Sequence, residues 1–560
     1  MRNTFILNTW WTKIIWILFC VAVSFWGFAF LQGWGDVWKD EAYQTWSILN
    51  WESSRVAPLS YWVGYKWMSI FGFKVVNLRL LATIIGSLAV TTSVIYSYYR
   101  TKNLILCGFL LMLGTWVWRA DAFMLYNWDS GSYLLDCMAL ICIVEYFRRP
   151  TLNKAVFCGV TCALMTLGRL PSGILGPLMC VLMCCYGWRN DIPYRKTLLN
   201  ICVFVAVFIV VFICLLTLMY GNPVEYINSL NQGKIGGHSL NDLGNYKWRM
   251  YILLENFTFI FSPAIFCILL PLLFRKRLSV LLNEKVFESR LKEWLIISCL
   301  CLFIVIEAIW TAKLYLVSLP EGILGCTVPI VVALLLLCPV RNYSNPDKPK
   351  MKIPEWELWG CAVTVLASIF GSDSYVGRIE GGFFLPIIIA VLWILGRGVK
   401  EYLSVVVVLW LLCCIGINVM HWIIQTRECI YEYTDEIGLY SGIKSSVDFD
   451  KIIEDLKPAI SLIKKNHEKY ILIDDRNVIG MVLGPDDGPG YHDFEFFSEY
   501  PENWRRRHID MLDRIDAVVY SKDFVKNKIS AQKVVEMLRG YGYVYSQETD
   551  GAVIVRKVNK

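Results

Sequence analysis

Along its first 424 positions the chain is dominated by apolar runs of roughly 17–25 residues, the length a helix needs to cross a bilayer. Short polar loops separate them. The runs predict spans over Ile14–Leu31, Val75–Tyr99, Leu104–Trp118, a fourth returning to Arg148-Arg149-Pro150, Ala155–Leu167, a sixth returning to Trp188-Arg189, and Leu198–Tyr220. Further runs follow at Tyr251–Leu273, Trp294–Trp310, a tenth ending near Val340-Arg341, Leu358–Phe370, a twelfth ending at Arg397 and Lys400, and Leu403–Ile424. The predicted fold is an α-helical polytopic membrane protein of about thirteen transmembrane helices, with a count uncertain by one or two because several runs are short enough to tilt or re-enter.

After the last span the pattern changes. Residues 428–560 are charged and free of cysteine from Ile430 onward, and they mix helical and strand periods. Asp448–Lys465 and Ser530–Arg539 read as helices, the first amphipathic. Tyr470–Ile473 and Ala517–Tyr520 read as short buried strands, and Tyr543–Ser546 with Ala552–Arg556, joined through Asp550-Gly551, as a hairpin. The chain therefore divides into a membrane domain, 1–427, with outer loops at 33–74, 119–131 and 221–250, and a small soluble α/β domain, 428–560. The Gly484–Gly490 stretch is a loop whose two aspartates are ordinary turn chemistry more often than a cation site.

Basic residues set the orientation. Arg2 and Lys13, Arg100 and Lys102, Arg148-Arg149, Arg189, and the Arg275-Lys276-Arg277 cluster fall in alternate loops. That is the positive-inside pattern, with the N-terminus cytoplasmic and the C-terminal domain extracytoplasmic. The net charge of +7 is scattered rather than striped, so it gives no sign of nucleic-acid binding. The 20 cysteines lie at or before Cys429, nearly all inside apolar runs, where they act as small buried hydrophobes. No cleavable signal peptide is evident, so the first run reads as an anchor.

The candidate chemistry collects in the loop after span one, where Asp40, Glu41 and Tyr43 precede a Pro58-Leu59-Ser60-Tyr61 turn and an aromatic stretch ending in Phe71-Gly72. An Asp-Glu-x-Tyr element just beyond the first span, followed by Pro-Leu-x-Tyr, resembles the GT-C glycosyltransferases, among them the protein O-mannosyltransferases and the lipid A aminoarabinose transferases. Where relatives often have Pro-Pro-Leu, this chain has Ala57-Pro58-Leu59. The resemblance implies a sugar donor carried on a polyprenyl phosphate, an acidic catalytic motif in the first outer loop, and inversion at the anomeric carbon.

On that reading Asp40 is the general base that takes a proton from the acceptor. Glu41 either supports catalysis or stabilises the start of a following helix. Asp129 is the second acid, with Asp121 its competitor. The alternative for Asp129 is a cap on span four through Ser130-Gly131-Ser132. Arg169, at a Gly-Arg-Leu-Pro break, can grip the phosphate or snorkel to headgroups. Lys247, Arg249, Lys313 and Arg378 are further outer-loop cations, and Tyr43 and His238 complete the substrate-binding candidates. Oxygen ligands from Asp40, Glu41 or Asp129 would suit magnesium or manganese; no dense ligand motif is present, so a divalent cation stays an open option rather than a requirement. No nucleotide-cradling loop or nucleophile elbow occurs, which fits a lipid-linked donor.

The expected partners are a polyprenyl-phosphate-linked sugar, an extracytoplasmic protein, lipid or glycan acceptor, and the lipid bilayer of the cell membrane. The competing reading is a transporter or flippase of lipid-linked glycans without chemistry. It would place ionisable groups deep in the spans. Nearly all spans are read as free of such groups, with Glu307 as one exception.

Overall fold

The computed structural model describes residues 10–29, 33–34, 39–52, 56–116, 126–231, 355–369, 427, 429–473, 479, 482–483, 515–522, 536, 538–558. Among these the membrane domain contributes α1 (Trp10–Ala29), α4 (Val75–Thr101), α5 (Leu104–Trp116), α6 (Trp128–Arg148), α7 (Leu152–Gly168), α8 (Leu175–Arg189) and α9 (Tyr194–Tyr220). A 3-10 turn, Leu170–Ile174, leads into α8, and a later helix, α11 (Glu355–Ile369), packs against α6 and α8. These match the first seven predicted spans and the eleventh. The other five predicted spans lie outside the described residues. Five of the described segments are long and apolar enough to cross a membrane.

The first outer loop folds into two helices, α2 (Lys39–Leu49) and α3 (Pro58–Phe71), and α10 (Pro223–Asn231) follows α9. The Pro-Leu-Ser-Tyr element predicted as a turn is the first turn of α3. Proline suits that place because its missing N–H would have no partner there and its fixed φ already fits a helix. Gly72, at φ +103, ends α3 in a conformation that costs glycine little, and Asn77 donates back to the carbonyls of Phe71 and Gly72.

The two ends of the bundle differ chemically. At one end Arg100 of α4 pairs with Glu145 of α6 at 2.8 Å and with Glu357 of α11 at 2.8 Å. Tyr96 donates to Glu145, and Lys154 of α7 reaches the same carboxylate. The rings of Phe147, Tyr186 and Trp356 place the end of α8 at that same end. The predicted basic loops at 100–102, 148–154 and 189–196 therefore share one face. The N-termini of α4 and α6 and the C-terminus of α7 lie at the opposite face, with α2 and α3.

The C-terminal domain carries α12 (Phe449–Lys465) on a four-stranded sheet of order β3-β4-β6-β5, where β3 is Tyr470–Ile473, β4 Ala517–Ser521, β5 Tyr543–Glu548 and β6 Ala552–Lys557. β3 and β4 are parallel, and β6 runs antiparallel to both β4 and β5. The buried side of α12, Ile453, Leu456, Ile460 and Ile463, follows the spacing that its amphipathic sequence predicts. A small ribbon of β1 (Tyr431–Glu432) and β2 (Lys444–Ser445) precedes it and has no counterpart in the sequence reading. Of the predicted Ser530–Arg539 helix only the end is described; the Gly484–Gly490 loop lies outside the described residues.

Candidate active site

Three separated stretches meet at the face opposite the basic end of the bundle. The entry to α3 is tied to the α7–α8 break: Leu170 N–H donates to the Val56 carbonyl at 2.9 Å, and Ser60 Oγ donates to the Gly168 carbonyl at 2.8 Å. The segment before α6 joins them, since the Tyr126 hydroxyl donates to the Ser60 carbonyl at 2.6 Å. Burial raises the Tyr126 phenol above its ordinary range, so it stays a neutral donor. Glycines permit the approach. A Cβ at Gly131 would sit 2.6 Å from Ser60, and one at Gly168 would sit 3.0 Å from Ser132 Cβ. From the other side α2 is fastened to α3 by the Tyr61 hydroxyl, which donates to Gln44 Oε1 at 2.8 Å. The acidic motif, the Pro-Leu-Ser-Tyr element, the Asn-Trp-Asp element and the Gly-Arg-Leu-Pro break thus form one cluster.

Asp129 and Arg169 face each other within it. Arg169 Nε lies 3.1 Å from Asp129 Oδ1, and both side chains are buried. Asp129 does not cap α6. Asn127 does, its side chain accepting from Ser130 N–H while Ser130 Oγ accepts from Asn127 N–H. This capping box satisfies the helix end, leaving Asp129 to take the indole N–H of Trp128 on Oδ2 at 3.0 Å while Oδ1 faces Arg169 as an ion pair. Arg169 is not a snorkelling residue: it is turned inward, 4% exposed.

Glu41 lies in the first turn of α2 and is engaged by a cation that the sequence reading did not name. It is buried and bound in parallel by Arg79 of α4, Nε to Oε1 at 2.8 Å and Nη2 to Oε2 at 2.7 Å. A third guanidinium bond runs from Nη1 to the Trp34 carbonyl at 3.1 Å. Asp40 occupies the first turn of α2, next to Glu41, and Tyr43 lies one turn on in the same helix. The backbone that carries Asp40 is therefore held by its neighbour's ion pair. Lys247, Arg249, His238, Lys313, Arg378 and Asp121 lie outside the described residues, as does Glu307.

Two ionisable groups escaped the sequence reading. Arg79 stands in the second turn of α4, and Asp136 two turns into α6. Asp136 accepts from Ser132 Oγ at 3.0 Å, while its Oδ1 has no hydrogen-bond partner among the described residues. The expectation that Glu307 stands nearly alone inside the spans is therefore corrected. Both residues sit toward the N-terminal ends of their helices, on the side of α2 and α3. A periodicity that placed Arg79 on the buried side of α4 was the available signal. Among the described residues no group of three or more His, Cys, Asp or Glu could hold a metal ion.

No protein-family model and no curated protein sequence matches the chain. Among solved structures the chain is similar to ArnT from Cupriavidus metallidurans bound to undecaprenyl phosphate, with 13% identity, 98% of each chain covered and a TM-score of 0.40. The apo state of the same protein gives 13% identity, 98% of each chain covered and a TM-score of 0.37.

Proposed function

We propose that the protein is a membrane glycosyltransferase of GT-C type that moves a sugar from a polyprenyl phosphate to an extracytoplasmic acceptor. The observation that carries this reading is the convergence, at one face of an apolar bundle, of the acidic helix α2 with the Asp129–Arg169 pair. The opposite face holds the basic residues, and the positive-inside rule supports reading that face as cytoplasmic and the acidic one as outward. The ArnT structure with undecaprenyl phosphate gives the donor class its precedent.

Asp40 is the general base. It takes the acceptor's proton as the acceptor oxygen or nitrogen attacks the anomeric carbon, and the sugar–phosphate bond breaks with the electron pair leaving on the lipid phosphate. The attack is in line and the centre inverts. Glu41, engaged by Arg79, holds Asp40's helix rather than touching substrate. Arg169 presents positive charge beneath the leaving phosphate, its orientation set by Asp129. Lys247, Arg249, Lys313, Arg378, His238 and Tyr43 remain candidates for binding donor and acceptor, and a magnesium or manganese ion at Asp40 is not required by the scheme.

A transporter would be insensitive to the base. Mass spectrometry of envelope glycans and glycoproteins from cells carrying Asp40→Asn tests this: one sugar goes missing at normal protein levels if transfer is the function. Unchanged glycans would overturn it.

A further inference from the structure

The C-terminal domain does not stand apart from the site. Its hydrophobic core incorporates Ala42 of α2 and Val75 of α4 alongside its own Tyr433, Tyr440, Ile443 and Phe449. The ribbon strand β2 extends onto the first outer loop, where Lys444 N–H donates to the Gly33 carbonyl at 2.8 Å and pairs with Trp34 as a parallel bridge. Lys444 Nζ lies over the Trp34 ring, 4.8 Å from its centre. The Trp34 carbonyl is the same one that accepts Arg79 Nη1, and Arg79 is the residue that grips Glu41. Tyr440 is fully buried beside Thr45, within electrostatic reach of Glu41 and Arg79. An unbroken set of contacts therefore runs from the soluble domain through Trp34 and Arg79 to the residue next to Asp40.

Helix α2 has only 11 residues, too few to hold itself together in water. Its shape and place come from what it packs against. α3 supplies one side through Tyr61 and Gln44, α4 another through Arg79 and Glu41, and the C-terminal domain a third at Ala42 and Thr45. Removing the third would leave the first turn of α2, which carries Asp40, supported on fewer sides.

We infer that segment 433–445 of the C-terminal domain is a positioning device for the acidic helix, with Tyr440 and Lys444 as positioning residues for Asp40. The inference rests on Asp40 being the base of the proposed transfer. It also gives the soluble domain a role: whatever moves segment 433–445, such as an acceptor seated on this domain, moves the base.

The test is hydrogen exchange on the full-length protein in lipid nanodiscs, read separately for peptides of α2, α12 and α6. Tyr440→Ala is expected to raise exchange in α2 about tenfold while α12 and α6 stay protected, and Lys444→Ala, which removes the cation over Trp34 together with its exposed 3.8 Å pairing to Glu432, about threefold. Tyr440→Phe keeps the ring and is expected to remain near wild type. If Tyr440→Ala fails to fold, Lys444→Ala decides alone, since its side chain lies at the surface. Unchanged α2 exchange, or an increase spread evenly over α12 and α6, overturns the inference. Transfer from an undecaprenyl-phosphate sugar is measured in parallel. Tyr440→Ala should lower kcat about tenfold with the donor KM unchanged, which a general loss of folded protein would not do. A wild-type chain that transfers nothing would instead overturn the functional reading, and the exchange result would still decide whether the domain positions α2.

Discussion

Arg79 and Glu41 form a two-bonded ion pair, buried from solvent, between the second turn of α4 and the first turn of α2. The pair locks the outer helix to the membrane domain at the position adjoining Asp40. A buried pair of this kind is dangerous to break and less important to keep, because removing one partner strands a charge whereas removing both does not. Arg79→Met is expected to cost about 3–5 kcal/mol, and Arg79→Met combined with Glu41→Leu to recover most of it. Thermal unfolding of the purified single and double variants checks this. Full additivity of the two losses would show that the residues act separately.

The Arg169 prediction separates charge from shape. Arg169→Lys preserves the positive charge but loses the Nε that stands 3.1 Å from Asp129. Transfer is expected to fall about ten- to hundredfold, because lysine loses the planar fork that the Asp129 ion pair orients, mainly through a raised KM for the lipid donor. Donor titration of the purified variant gives the number. A lysine variant with wild-type kinetics would remove Arg169 from the binding scheme.

Gly131→Ala should disturb the site without touching any charge. The new Cβ would meet Ser60 at 2.6 Å, so α3 must shift relative to α6. Such overpacking costs about 1–3 kcal/mol. Ser60→Gly in the same chain removes the obstructing atoms and should restore much of the lost melting temperature, although it also deletes the bond to the Gly168 carbonyl. A double variant no better than Gly131→Ala alone would place the strain elsewhere.

For Asp40→Asn the expected loss is about a hundredfold or more in transfer, within the range a positioned base contributes. Binding of the lipid donor should hardly change, because the asparagine keeps the size of the aspartate. Equilibrium binding beside single-turnover transfer distinguishes lost chemistry from lost binding.

The described helices of the first 427 residues were legible in the sequence because length and hydropathy alone define them, and their basic ends sorted themselves by loop. In the C-terminal domain α12 and the strands β3–β6 followed from period and turn chemistry. The ribbon of β1 and β2 did not, since each strand has two residues and no pattern of its own. Asp129, Arg169 and the Pro-Leu-Ser-Tyr element were recognisable as polar features at loop boundaries, but what joins them was not. The bonds from Ser60 to Gly168 and from Tyr126 to Ser60 cross 108 and 66 positions of sequence, beyond any local rule. Glu41 illustrates the limit most clearly. Nothing near it in the chain announces a partner 38 positions away inside an apolar run. The alternative of Asp129 as the cap of α6 stayed open in the sequence for a smaller reason: Asn127 and Asp129 are both good capping residues, and only the backbone conformation separates them.

The ion pair from Arg100 to Glu357 spans 257 positions. While the chain is being made, Arg100 can meet Glu145 as soon as α6 has entered the membrane, but Glu357 emerges only when well over half of the protein has been synthesised. Biogenesis thus has an order: the early helices gather first, and their clasp at the basic face closes only after the later half of the chain arrives.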